Sequence, residues 1–189
     1  SESSIESVNT PYCTVYPIAN ESPALQADFY VAAKYDPMTL SNLSQVSEQL
    51  VGLQLSKMPI TNESLNLVSK FTHLEKLNLN FTSIDDAGIA QLAGLNQLEQ
   101  LSVSGTKVGK SGVAKLLAKL PALKEIHVWS TNLSAADLAA LRNQFPKVTF
   151  DAGYIPKEET LQINPPILVN ENLILKPGEK LTFKHTLRD

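Results

Sequence analysis

Apolar residues return at a nearly constant interval through the middle of this chain. The segments LVGLQLSKMPI, LEKLNLNFTSI, LEQLSVSGTKV and LKEIHVWSTNL begin at Leu50, Leu74, Leu98 and Leu123. In the unit from Leu74, Leu77 and Leu79 alternate with Lys76, Asn78 and Asn80. That period of two predicts a short strand with its leucines inward. Thr82 marks the following turn, and Ile84 returns to the core. Asp85 and Asp86 supply N-cap and first-turn carboxylates for a helix. Ile89, Leu92 and Leu95 are that helix's apolar face. Val113, Leu116 and Leu120 form the next helical face, and Leu138, Leu141 and Phe145 the one after. Ser134 to Asp137 fits a capping box. Pro121 and Pro146 stand where each helix must stop before the next strand.

The pattern L-x-x-L-x-L, then a turn and an apolar residue, is that of the leucine-rich repeat. One unit cannot bury its own apolar face, so the units must stack. The expected fold is an α/β leucine-rich-repeat solenoid. It is a right-handed arc with a parallel sheet on the concave face and helices on the convex face. Repeats of this length with true helices predict strong curvature. At the turn where many repeats carry Asn, this chain has Thr82, Thr106 and Thr131, whose hydroxyls can bond the turn backbone; Met58 breaks the series.

A degenerate first repeat is expected upstream. Stepping back one repeat length from Leu53 and Leu55 gives Phe29 and Val31 as its inward strand positions. Asp36-Pro37 reads as N-cap and N1 proline, and Leu40, Leu43 and Val46 as a helix face. Before it, Tyr12 to Ile18 alternates like a strand that covers the open end of the array. Val148 and Phe150 begin a last strand. The expected division is an N-terminal segment 1–24, about five repeats over 25–150, and an extended or β segment 151–189. In that last segment LILKPGEKLTF reads as two short strands around Pro177-Gly178. The segment is either a cap docked on the last repeat or the start of a β domain.

Composition narrows the function classes. The net charge is −3 with 19 % charged residues, so no basic stripe points to nucleic acid. No apolar run approaches about 18 residues, so this segment inserts into no membrane directly. SESSIESVNT lacks the regions of a signal peptide and reads as a mature or trimmed start. The single cysteine, Cys13, excludes an internal disulfide, and its apolar neighbours predict a buried structural thiol. N-x-S/T sequons occur at Asn20, Asn42, Asn62, Asn80 and Asn132. They matter only where a glycosylating pathway exists.

LNFTSIDDAGIAQLAGLNQLEQLSVSGTKVGKSGVAKL and LKEIHVWSTNLSAADLAAL resemble the short repeats of large membrane-anchored bacterial proteins of Bacteroidetes and Planctomycetes. In those proteins a planctomycete-type cytochrome c domain precedes the repeats. The resemblance covers about Tyr12 to Phe150. It implies a periplasmic or cell-surface location and no activity for this segment, which lacks the haem motif C-x-x-C-H. NPPILVNENLILKPGEKLTF is similar to the opening of a chitobiase or fibronectin-type-III-associated β domain. The T-x-[IV]-x-D-x-G-[IL] style also occurs in F-box-type repeats, which keeps a cytosolic adaptor open.

No catalytic, cofactor or metal set can be assembled. His73, His127 and His185 lie far apart, without metal-ligand spacing. Asp85 and Asp86 are better explained as helix caps than as a cation site. There is no G-x-S-x-G motif and no phosphate loop. The candidate site is therefore the concave face, read from the outward strand positions. These are Tyr30, Gln54, Lys76, Asn78, Asn80, Gln100, Ser102, Ser104, Glu125, His127 and Trp129. Trp129, the only tryptophan, is expected to point outward. It is read either as an interface anchor or as a ring packed under the C-terminal segment. The expected partner is an unknown protein or a neighbouring domain of the full-length chain. A glycan stacked on Trp129 is the alternative.

Overall fold

A computed structural model describes residues 2–153 and, after them, the strands 159–162, 168–170, 173–174 and 180–183. The chain divides into two units, Ser1–Gly153 and Tyr154–Asp189.

The first unit is an α/β leucine-rich-repeat solenoid. Its sheet has seven strands in chain order: β1 (Cys13–Pro17), β2 (Leu25–Phe29), β3 (Leu50–Gln54), β4 (Lys76–Asn78), β5 (Gln100–Ser102), β6 (Glu125–His127) and β7 (Thr149–Asp151). All neighbours from β2 onward are parallel, with Leu53, Leu77, Leu101, Ile126 and Phe150 in register. These inward positions are buried and join one continuous core with the helix-face residues. The threonine turns form as the sequence predicts. Thr82 Oγ1 donates to Leu79 O at 2.6 Å, Thr106 to Val103 O at 2.6 Å and Thr131 to Val128 O at 2.8 Å.

Helix α1 (Glu2–Val8) precedes the sheet, and the repeats contribute α2 (Pro37–Asn42), α3 (Leu65–Val68), α4 (Asp86–Ile89), α5 (Lys110–Leu117) and α6 (Ala135–Gln144). Only α5 and α6 reach two turns, which corrects the expectation of a true helix in every repeat. Leu65, Val68, Phe71 and Leu74 are spaced by three, as are Ile89, Leu92, Leu95 and Leu98. A strict period of three fits the 3₁₀ geometry better than 3.6. The Phe71 amide accordingly donates to Val68 O, and the Leu74 amide to Phe71 O, both at 3.1 Å. A 3₁₀ segment, Ala90–Gly94, likewise follows α4.

The first repeat differs from expectation by two positions. Ala27, not Phe29, pairs with Leu53, and Gln26 and Asp28 pair with Gly52 and Gln54. The step here is longer than in the later repeats, because Tyr30 to Gln49 holds a 3₁₀ turn (Ala32–Lys34), α2 and a second 3₁₀ turn (Leu43–Val46). Phe29 still packs inward, tilted against Tyr35 with ring centroids 5.9 Å apart, but Val31 is exposed. The cap at Asp36 forms as expected, accepting Met38 N–H at 2.8 Å.

β1 closes the first edge antiparallel to β2. The periodicity gives no sign of α1, whose Val8 joins the core. After it, Asn9 Oδ1 accepts the Val15 amide at 2.5 Å, so the outer backbone of β1 is partly paired. Cys13 is fully buried, and burial, with the Asp28 carboxylate adding to it, pushes its thiol pKa up to about 12. A native sample should therefore react with a thiol reagent at neutral pH only at its opening rate, and promptly in denaturant. Prompt reaction of the folded chain would contradict that burial.

Polar side chains tie successive repeats together beside the helix starts. Asn62 donates to Asp85 Oδ1 at 2.8 Å, while Asp85 caps its own helix by accepting Ala87 N–H at 2.9 Å. Asp86 lies in the first turn of α4, as the sequence predicts. Its carboxylate also caps the next helix, accepting Gly109 N–H at 2.7 Å and Gly112 N–H at 3.0 Å. Lys110 reaches Asp137 at 3.4 Å, and Ser134 and Asp137 form the expected capping box. The Asn62 hydrogen bond above all, then the Ala87 and Gly88 amides, hold the Asp85 carboxyl below its ordinary range. Ser134 does the same for Asp137. Both groups favour the ionised, folded form, so their contribution is full above the ordinary carboxylate pKa and fades as pH falls through the lowered folded values. Melting temperature should be level from neutrality to about pH 4 and fall below it. Asp85→Asn keeps an N-cap acceptor but no charge, so its acid-side fall should be shallower.

In the second unit, β8 (Glu159–Gln162) pairs antiparallel with β11 (Lys180–Phe183), and β9 (Leu168–Asn170) with β10 (Leu173–Ile174). LILKPGEKLTF does contain two strands, but they belong to different sheets. The expected docking of this segment on the last repeat lies outside the described residues.

Candidate functional site

The open face of the sheet carries the side chains that alternate with the core ladder. Gln54, Lys76, Asn78, Gln100, Ser102, Glu125 and His127 lie on it as predicted. Ser104 does not, because it is 6 % exposed and its hydroxyl accepts Trp129 N–H at 3.1 Å. Asn80 is also partly structural, accepting Ser104 N–H at 2.7 Å. These two stand just past the strand ends, where successive turns need cross-links. Tyr30 follows β2 rather than lying within it, is half-exposed, and hydrogen-bonds Thr14. The shift in register places Gln26 and Asp28 on the face in its stead, and β1 adds Thr14 and Tyr16. Tyr16 Oη donates to Asp28 Oδ2 at 2.8 Å.

At the far end, polar groups form a closed network. Gln100 Nε2 lies 3.1 Å from both Glu125 Oε2 and His127 Nε2. His127 Nδ1 is 3.0 Å from Asp151 Oδ2, and Gly153 N–H donates to Asp151 Oδ1 at 2.9 Å. The Gly153 amide, then His127, hold the Asp151 carboxyl below its ordinary range. Glu125 Oε1 also lies 3.5 Å from His127 Nε2, so Gln100, Glu125 and Asp151 all meet at this imidazole. Among the described residues no group of three or more His, Cys, Asp or Glu is placed to hold a metal ion.

One rim of the face is aromatic. Phe81 and Trp129 are 46 % and 49 % exposed and meet edge to face, with ring centroids 6.0 Å apart. Lys57 Nζ lies 5.9 Å from the Phe81 centroid. Phe81 has a φ of 56°, in the left-handed region that a bulky residue rarely adopts. The same place in the neighbouring turns is held by Lys57, Gly105 and Ser130, also at positive φ. Each ring rests against a glycine of the turn that follows. A Cβ on Gly105 would stand 2.6 Å from Phe81 Cε1, and one on Gly153 2.5 Å from Trp129 Cδ1. Trp129 thus points outward as predicted, with one part of its ring on backbone. Sequence reasoning missed Phe81. Its signal was available: an aromatic in one repeat aligned with a glycine, Gly105, in the next.

Three sequons have structural uses. Asn62 and Asn132 donate to Asp85 and Lys107 O, at 2.8 and 3.0 Å, and Asn80 accepts from Ser104. Asn20 is exposed.

No protein-family model matches this chain, and no curated protein does. Among solved structures, an internalin (inlF) from Listeria monocytogenes is similar with a TM-score of 0.47 and 25 % identity, over 62 % of this chain and 32 % of that one. The internalin C2 of the same species is similar with a TM-score of 0.41 and 28 % identity, over 55 % of this chain and 42 % of that one. This chain therefore spans less than half of either. No helix among the described residues is long and apolar enough to cross a membrane.

Between the tyrosine end and the aromatic rim lies an open hollow of about 170 Å³, lined by Gln26, Gln54, Lys76, Asn78, Gln100 and Ser102 over Leu53 and Leu77. Small-molecule pockets run from about 300 to 1,000 Å³. The hollow is too small and open to enclose a cofactor-sized molecule. It suits a side chain or a short stretch of something larger.

Proposed function

We propose that this domain is a non-catalytic interaction module, which offers the open face of its sheet to a protein partner or to a neighbouring domain of a longer chain. The Phe81–Trp129 pair carries the reading. Both rings are about half-exposed, and Phe81 keeps its place against an unfavourable backbone conformation. Strain of this kind, about 1–3 kcal/mol, persists where the surroundings and the function require it. Exposed, rigid aromatics beside a polar face are the usual anchors of protein interfaces.

The test is capture. The immobilised chain is exposed to extract of its source cells, beside Trp129→Ala and a helix-side control, Lys119→Ala. Proteins retained by the wild type should fall at least about tenfold on Trp129→Ala and stay level on the control. Equal retention by a folded Trp129→Ala chain would remove the rim from the interface.

The resemblance of the repeats to those of cytochrome-bearing bacterial proteins supports a periplasmic or cell-surface setting. A cytochrome domain upstream in the same reading frame is the observation that tests it. The flat Trp129 ring beside amide side chains also suits a sugar ring. A glycan array that returns no ligand would exclude that second reading.

A further inference from the structure

The open face is unevenly satisfied. Each of its carboxylates already has donors. Asp28 receives Tyr16 Oη and Gln26 Nε2, both at 2.8 Å. Glu125 receives Gln100 Nε2 at 3.1 Å, and Asp151 receives Gly153 N–H at 2.9 Å and pairs with His127 at 3.0 Å. The hollow between them is the reverse. Lys76 is its only charged lining residue, and among the described residues no carboxylate lies within ion-pair distance of it. Asn78 uses its Oδ1 to accept Asn80 N–H at 2.9 Å, which leaves its Nδ2 free to donate. Gln54 and Ser102 line the same hollow with no side-chain partner among the described residues. Lys76, the Asn78 amide nitrogen, Gln54 and Ser102 therefore line one small space that holds no charged acceptor.

We infer that the hollow at Lys76 receives the carboxylate of an Asp or Glu side chain from an extended segment of the protein partner. The inference rests on the interaction-module reading and gives it a chemistry. Charge complementarity selects the occupant. A second cation would meet Lys76, and a neutral chain would leave the ammonium without a counter-charge once water is displaced. The aromatic rim sets the spacing. Trp129 stands two strands and four residue positions from Lys76, about 16 Å at ordinary strand geometry. An extended segment crosses that distance in about five residues. Side chains of an extended segment alternate between faces, so the partner segment should carry an acidic residue about four or six positions from an apolar one, the first over Lys76 and the second over Phe81 and Trp129.

A randomised nine-residue peptide phage library, panned on the whole chain, tests this. Selected peptides should share an Asp or Glu about four or six residues from an apolar side chain. Panning on Lys76→Gln should lose the acidic residue and keep the apolar one. A selected peptide should bind Lys76→Gln about tenfold more weakly. Its own Glu→Gln version should lose as much on the wild type and nothing further on Lys76→Gln. Lys76 is exposed, so the variant should melt with the wild type, which separates lost binding from lost folding. Peptides without an acidic residue, or with one that persists on Lys76→Gln, would overturn the inference. Binding of an oligogalacturonate through Lys76 with no peptide enriched would overturn it in favour of an acidic glycan. If Trp129→Ala abolishes capture while Lys76→Gln changes neither panning nor affinity, the interaction module stands and the carboxylate site alone fails.

Discussion

Gly112→Ala should lower the stability of the repeat domain by about 2 kcal/mol, although alanine is the better helix former by about 1 kcal/mol. The added Cβ would stand 2.6 Å from Asp86 Cγ and 2.9 Å from Asp86 Cα. The carboxylate can swing aside, but the Cα belongs to the backbone of the previous repeat. Relief therefore means either parting two repeats or losing Asp86 as the cap of α5. That cap consists of charge-assisted bonds to the Gly109 and Gly112 amides, at 2.7 and 3.0 Å. Hydrogen bonds to charged groups contribute about 1.5–3 kcal/mol each when buried. Asp86 is only partly buried, so the lower end applies and still exceeds the propensity gain. Gly94→Ala is the control, because a Cβ there meets nothing within 4 Å. It should be neutral or stabilise by up to about 1 kcal/mol. Urea unfolding of the two variants decides the matter. Equal stabilities would mean that the contact between Asp86 and the next helix contributes nothing.

Phe81→Gly should separate binding from folding. Glycine adopts the positive φ at this position without the cost a bulky side chain bears there, about 1–2 kcal/mol. Against that gain, the edge-to-face contact with Trp129 is lost, at about 0.5–1.5 kcal/mol. The unfolded chain also becomes more flexible. Stability should stay within about 1 kcal/mol of the wild type. Partner binding should fall about thirtyfold or more, the scale of an interface anchor. Denaturant midpoints and capture measured on the same preparation give both numbers. A clear loss of stability with unchanged capture would make Phe81 a structural residue and remove it from the interface. Gly105 offers a second check. Its missing Cβ makes room for the Phe81 ring, so Gly105→Asn should be tolerated far better beside Phe81→Gly than alone.

Much of the solenoid was legible because burial imposes its own period. Leu53, Leu77, Leu101 and Ile126 had to point inward, and alternation then fixed Gln54, Lys76, Gln100 and Glu125 as outward. The threonine turns and the caps at Asp36, Asp85 and Ser134 were legible because short polar side chains bond backbone within a few residues of themselves. The register of β2 was not. A fixed repeat length cannot know that the Tyr30 to Gln49 connection holds extra turns. The 3₁₀ segments were written in the sequence as apolar residues spaced by three, yet 3 and 3.6 diverge little over a single turn. The second role of Asp86 was not legible, because its partners Gly109 and Gly112 lie a repeat away and nothing local marks a cap for the next helix. Ser104 was misplaced because strict alternation ends with the strand. The face residues were found by position alone, but what separates them, the closed network at His127 and the unpaired donors at Lys76, is a property of neighbouring strands seen together.

The residue at positive φ in each turn, successively Lys57, Phe81, Gly105 and Ser130, has one more consequence. A cation, an aromatic, a glycine and a hydroxyl occupy equivalent places without disturbing the leucine ladder beneath them. Such a place accepts new side chains at a backbone cost of about 1–2 kcal/mol relative to glycine, provided the glycine beneath a large ring is kept. Recognition can therefore drift, or be redesigned, one turn at a time while the scaffold stays constant. A library randomised at these four places alone would sample new rims on an unchanged core.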